Sequence, residues 1–167
     1  MGVACERSKR AHPRASKTRA QRRSVAAEEL EVVIEVPRGG YIKRTDAGAI
    51  DYISPFPCPF NYGSVPDTRS GDGDRLDAIV LGPPRARGSR VRCRVVAVVR
   101  FTDAGQDDPK YVCAEQVASE HQLAQVERFF ARYSWLKGLL NRLRGKRGTT
   151  RYAGLERRPA AHAMVEP

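Results

Sequence analysis

The chain has 167 residues, 41% hydrophobic and 29% charged, which suits one domain with a real core plus appendages. Its formal charge of +11 points toward nucleic acid, but residues 1–27 carry eight Lys/Arg against one acid and residues 138–167 seven against two, while residues 28–137 carry fifteen against sixteen. The excess basicity therefore belongs to the two ends, which argues against a basic nucleic-acid groove in the central domain.

Residues 1–27 form a basic N-terminal extension with no apolar run and no strand alternation, a composition that reads as disordered. It lacks the apolar segment of a secretory signal. A mitochondrial transit peptide is the alternative, against which Pro13 interrupts any amphipathic helix. The longest apolar run of the domain, Val95 to Val99, is far too short to span a bilayer, so no membrane partner is expected. Cys5, Cys58, Cys93 and Cys113 show no CxxC, and His12, His121 and His162 are scattered, so no zinc site is read. A reducing, cytoplasmic location is the simplest expectation.

The domain is read over residues 28–140. Strand character begins at Glu31-Val-Val-Ile-Glu35-Val36 and stops at Pro37-Arg-Gly-Gly40. Tyr41 to Lys43 and Ala49 to Ile53 are short strands around a turn at Asp46-Ala-Gly48. The prolines of Ser54-Pro-Phe-Pro-Cys-Pro-Phe60 forbid a helix and a central strand, leaving an extended connector. Asn61-Tyr62-Gly63-Ser-Val65 leads to Asp72-Gly-Asp74-Arg-Leu-Asp77, which runs into a strand over 78–81. A long strand over Val91 to Phe101 ends at a second acidic loop, Asp103 to Asp108-Pro-Lys110, and Tyr111 to Ala114 returns. Val126, Phe129/Phe130, Tyr133, Leu136 and Leu140 recur at three and four residues, one face of an amphipathic helix. Residues 141–167 read as a basic tail. The fold class is thus mainly β with one C-terminal helix (α+β), a small closed or nearly closed barrel with the helix packed on it.

Both acidic loops lie at strand ends. Taken singly, Ser70-Gly71-Asp72-Gly73-Asp74 is an ordinary turn. Two such loops with a Lys beside the second demand more, because converging carboxylates repel unless a cation sits between them. Mg²⁺ answers that need: it prefers oxygen ligands and keeps several waters, and paired ions can clamp a phosphoryl group and activate water. An EF-hand is excluded, since Pro83 stands where its twelfth-position Glu belongs. These residues point to Mg²⁺-dependent hydrolysis of a phosphate compound.

Val33-Ile-Glu35-Val-Pro37, Phe60-Asn-Tyr62-Gly63, Asp72-Gly-Asp74-x-x-Asp77, Thr102-Asp103 with Asp108-x-Lys110, and Phe129-Phe130-x-x-Tyr133 occur in one order. Over about residues 31–137 the chain resembles the family I soluble inorganic pyrophosphatases, as a divergent, shortened member. The resemblance implies an OB-like five-stranded barrel, several Mg²⁺ ions per site, cleavage of pyrophosphate to two phosphates, and homo-oligomers. It further implies that Asp72, Asp77, Asp103 and Asp108 bind metal and that Asp74 is the base that takes a proton from the attacking water. Tyr62 is implied to hydrogen-bond near the nucleophile, Lys43, Lys110 and Tyr133 to hold phosphate oxygens, and Glu35 to support the site. Departures thin the phosphate clamps: Thr45 replaces an acid, Cys58 a Tyr and Ser134 a Lys, with Lys137 one turn along. The Arg expected before Asn61 is missing, leaving Arg44 or Arg75 as substitutes.

Two other functions compete. An OB-like nucleic-acid-binding module would need aromatic platforms beside a basic groove; here polynucleotide binding would be at most non-specific, through the tails. Alternatively, the thinned clamps open the pocket to another small phosphate or polyphosphate.

Overall fold

A computed structural model describes residues 29–44, 48–54, 56–70 and 74–158. The readings of residues 1–27 as an extension, of Thr45 and of Asp72 fall outside the described residues. Among the described residues, nine strands and one helix follow in chain order: β1 (Glu29–Val36), β2 (Ile42–Arg44), β3 (Ile50–Ile53), β4 (Asn61–Val65), β5 (Leu76–Leu81), β6 (Arg90–Asp103), β7 (Gln106–Asp107), β8 (Lys110–Ala114), α1 (Glu120–Leu143) and β9 (Arg151–Arg157).

β1 alternates as its sequence demands, with Leu30, Val32, Ile34 and Val36 buried. Its first half pairs with β6 and its second half with β4. β4 pairs with β5, β5 with β8 in parallel, and β8 with β6, so the pairings return to β1 and form a partly closed, OB-like ring. This is the expected mainly β architecture with one helix. β2 and β3 form a separate hairpin.

The two faces of the ring carry two cores. Leu30, Val32, Ile34, Val80, Val91, Cys93, Val95, Val98, Tyr111 and Cys113 pack together on one. Ile79, Leu81, Ala97, Val99, Phe101, Val112 and Ala114 meet Leu123, Val126 and Phe130 of α1 on the other. An irregularity between Val95 and Ala97 in the pairing with β8 lets β6 serve both: odd positions face the first core before it, even Val98 after it. One extra residue flips every later side chain to the opposite face.

α1 starts at a capping box, where Ser119 accepts from the Gln122 N–H and Gln122 returns the bond to the Ser119 N–H. It begins earlier and ends later than the apolar periodicity alone marks. None of the described helices is long and apolar enough to cross a membrane.

One expectation is corrected. The basic tail expected from residue 141 onward contains β9, which pairs with β6 over Ala97 to Thr102. At Ala97–Val99 β6 holds β8 on its other edge, so β9 covers the edge that β1 leaves after Arg94. An open edge of long β6 would present unpaired backbone groups. Tyr152 and Leu155 pack against the helix-side core.

Candidate active site

The motif around Asn61 shows how local sequence builds the site. Asn61 is fully buried and uses its whole side-chain amide: Oδ1 accepts from the Arg38 and Arg85 N–H groups, and Nδ2 donates to the Val80 and Pro83 carbonyls. Gly63 lies where β4 crosses β1, and any Cβ there would overlap the Val33 carbonyl. Asn61 thereby fixes the loops and Gly63 fixes the strand spacing, while Tyr62 between them faces a cleft of about 1080 Å³.

Glu35 of β1, Lys43 of β2, Tyr62 of β4, Asp74, Asp77 at the start of β5, Asp103 at the end of β6, Asp108, Lys110 of β8 and Tyr133 of α1 all line this cleft. Every described residue singled out from the sequence is thus brought together. Arg44 and Arg75, the two candidates for the missing Arg, line it as well.

At the centre the buried Lys110 ammonium donates to Asp77 Oδ2 and, at 2.6 Å, to Asp108 Oδ1. Lys43 Nζ lies 3.6 Å from Glu35 Oε2 and 3.7 Å from Asp77 Oδ1, and 5.5 Å from the centre of the Tyr62 ring. The Tyr62 hydroxyl lies beside Asp77. Burial alone would raise the Asp77 carboxyl, but Lys110, Lys43 and the hydrogen bonds from Lys110 and Tyr62 outweigh it and hold the group below its ordinary range. Burial likewise opposes the Lys110 charge, and Asp77 with Asp108 reverses the effect, raising the ammonium. Tyr62 is pushed well above the usual phenol range, first by burial and then by Asp77, so it remains a donor.

Asp103 lines the same cleft with a different set of partners. Its Oδ1 accepts from Asn141 Nδ2 at 2.6 Å and from the Thr150 hydroxyl at 3.2 Å, while Oδ2 lies 3.4 Å from Lys137 Nζ. Lys137 and these donors overcome burial and hold its carboxyl low. Ser64, whose hydroxyl donates to Glu35 Oε1 at 2.6 Å, and Asn141 and Thr150 escaped the sequence reading. The available signal was the four-residue step from Tyr133 to Lys137 to Asn141 along one face of α1.

The donors suit a hard cation. They are carboxylate oxygens, two of which already converge on one positive charge, the Lys110 ammonium. Glu35 Oε2 is buried and accepts no hydrogen bond. Among the described residues no three acidic, His or Cys side chains form a ready-made metal cluster. That donor set fits Mg²⁺, which takes one or two carboxylates and completes its shell with water and phosphate.

A family model described as inorganic pyrophosphatase matches residues 32–153. The inorganic pyrophosphatase of Xanthomonas campestris pv. campestris is 37% identical over 133 residues, covering 66% of this chain and 75% of the relative. A crystal structure of an inorganic pyrophosphatase from Neisseria gonorrhoeae aligns with a TM-score of 0.63 at 30% identity, over 80% of this chain and 84% of that one. The Thermus thermophilus inorganic pyrophosphatase aligns with a TM-score of 0.63 at 29% identity, over 78% and 83%. With the aspartates, lysines and Tyr62 of its motifs gathered in one cleft, the chain belongs to the inorganic pyrophosphatase family.

Proposed function

We propose that this chain is an inorganic diphosphatase, a hydrolase of acid anhydrides that cleaves pyrophosphate to two phosphates with Mg²⁺. The carrying observation is the convergence of Asp77 and Asp108 on Lys110 in the cleft that Tyr62 and Lys43 also line. Asp77 and Asp108, with Asp103 and Asp72, would hold the ions. Bound there, Mg²⁺ would neutralise phosphate charge and acidify a water.

The chain's own residues supply the rest. Asp74 is exposed at the cleft and takes the proton of the attacking water, the work of a general base. Tyr62, kept protonated, orients the group that Asp77 holds. Lys43, Lys110 and Tyr133 hold phosphate oxygens and offset charge on the departing phosphate, and Glu35 keeps Lys43 pointed inward. Lys110 also balances Asp77 and Asp108 when substrate is absent, so the two carboxylates stay close together. Because phosphoryl transfer needs positioning and charge neutralisation more than covalent help, this set suffices.

The test is phosphate release from pyrophosphate with and without millimolar Mg²⁺, beside Asp74→Asn. We expect metal-dependent release that falls by about 10²–10⁴ in the variant. Full activity of Asp74→Asn would remove it as the base.

Two further parts of this reading concern context. Trp135, Leu139 and Leu143 are exposed at four-residue steps on α1, which supports homo-oligomerisation through that stripe. Light scattering of the wild type against Trp135→Glu tests it, and an unchanged mass would dismiss the stripe. Cys58, Cys93 and Cys113 are free thiols, which supports a cytoplasmic location.

A further inference from the structure

The cleft does not end at Asp103. It continues to the C-terminal end of α1, where Lys137, Arg144 and Lys146 line it. Its volume of about 1080 Å³ matches the upper end of pockets for drug-sized ligands, roughly 300–1,000 Å³, and far exceeds what a two-phosphorus anion fills.

The segment bearing these cations is held in place by a dense set of contacts. The Lys146 N–H donates to the Asn141 carbonyl at 2.9 Å, and Asn141 Nδ2 reaches Thr150 Oγ1 at 2.9 Å as well as Asp103. The Ala104 N–H donates to Thr150 Oγ1 at 3.2 Å, and the Gly105 N–H to the Thr149 carbonyl at 2.8 Å. Gly148, at φ +104°, lies so close to the Ala104 carbonyl that a Cβ would overlap it. Residues 144–150 are therefore clamped onto the Asp103–Gly105 turn, and β9 anchors their far end.

The charge there exceeds local need. Cations near a helix C-terminus commonly complement its dipole, and Arg142 in the last turn already does so. Asp103 is answered by Lys137, Asn141 and Thr150. Among the described residues Arg144 and Lys146 pair with no carboxylate, yet both line the cleft. Among the aromatics on the helix side of the cleft, Phe129 stacks on Tyr133, and Phe60, Phe101 and Phe130 pack edge-on or tilted in the same cluster, while Tyr41 on the hairpin side is half exposed. Lys137, Arg144 and Lys146 along one wall suit a linear inorganic polyanion, whose charge repeats along its length.

Resting on the pyrophosphatase reading, we propose that Lys137, Arg144 and Lys146 form a distal subsite for the further phosphates of inorganic polyphosphate, with tripolyphosphate as the shortest such substrate. Water oxygen bonds to the terminal phosphorus, and the bridging P–O bond breaks with its electron pair on the leaving chain. The water proton passes to Asp74 and then to solvent. One water is consumed per anhydride, giving phosphate and a chain shorter by one.

The experiment compares the full chain with Arg144→Ala/Lys146→Ala, both exposed positions, in Mg²⁺ on pyrophosphate, tripolyphosphate and adenosine triphosphate. The expected result is tripolyphosphate turnover whose KM rises about ten- to a hundredfold in the double variant, with kcat/KM for pyrophosphate unchanged. Equal losses on both inorganic substrates, or no loss on tripolyphosphate, would overturn the subsite. Wild-type cleavage of pyrophosphate without tripolyphosphate would overturn it while leaving the pyrophosphatase reading intact. Preferred cleavage of adenosine triphosphate with the same sensitivity would assign the subsite to nucleotides and overturn the inorganic assignment. Should neither inorganic substrate turn over, the pyrophosphatase reading fails. Calorimetric titration of tripolyphosphate into wild type and variant then decides the subsite alone, equal affinities refuting it.

Discussion

Two charged clusters of the cleft are built differently. At the Asp77–Asp108–Lys110 end, two partly buried carboxylates flank the buried Lys110 ammonium, and Lys43 adds a second cation to Asp77. At the Asp103 end, a strand terminus is answered by a helix and a loop far along the chain: Asn141, Thr150 and Lys137. The first end trades charge with charge in low dielectric, where loss of one partner strands the other. The second mixes two neutral donors with one partly buried cation, Lys137, and its members act more independently.

The sharpest way to break this contrast is Asp77→Asn. It removes the carboxylate shared by Lys110, Lys43 and Tyr62. Activity should fall by more than the roughly 10–100-fold expected for an outer-shell partner of a metal. The rise in melting temperature that Mg²⁺ gives the wild type should shrink with it, since only ions bound to the folded state stabilise. A variant with normal Mg²⁺ protection would remove Asp77 from the metal site.

Lys110→Met comes next. Asp77 and Asp108 would lose the cation between them, and breaking a buried pair costs about 3–5 kcal/mol. If the carboxylates suit Mg²⁺, the ion should substitute for the ammonium, so Mg²⁺ should raise the melting temperature of this variant more than that of wild type. An equal rise in both would mean the two carboxylates do not share an ion.

The same contrast explains what could be read from the chain. Asp72 to Asp77 and Asp108 to Lys110 are compact motifs, so the first end was legible as soon as both acidic loops were seen. The second end was not. Asn141 and Thr150 are polar residues in a segment whose composition reads as a tail, and Arg151–Arg157 has too little apolar alternation to announce a strand. Its pairing follows from the edge that β6 exposes after β1 leaves, a property of the assembled sheet. The irregularity at Val95–Ala97 was equally hidden, because an apolar run reads the same whichever face each residue takes. The Ser119–Gln122 capping box was visible as a pattern but stands upstream of the apolar periodicity that marked the helix.

Asn141→Leu probes the second end with a smaller expected effect. Asp103 and Thr150 each lose a hydrogen bond, and the buried position gains an apolar side chain of similar size. Stability should fall by about 1–3 kcal/mol, because the remaining polar groups are left less satisfied. Lys137 still faces Asp103, so activity should persist at a reduced level. Loss as severe as that of Asp77→Asn would show that the two ends work as one unit.

Gly148→Ala should have the smallest effect on pyrophosphate and still separates the ends. The added methyl cannot fit against the Ala104 carbonyl, and φ +104° is unfavourable to any Cβ. The segment bearing Arg144 and Lys146 must shift away from the Asp103–Gly105 turn, at a cost of about 1–3 kcal/mol. Nothing at Asp77, Asp108 or Lys110 touches that segment through the bonds described above, so kcat/KM for pyrophosphate should stay within a few-fold of wild type. The tripolyphosphate KM should rise, because the displaced cations no longer meet the further phosphates. If pyrophosphate turnover collapses instead, the Asp103 turn transmits strain to the buried carboxylates and the cleft is one mechanical unit.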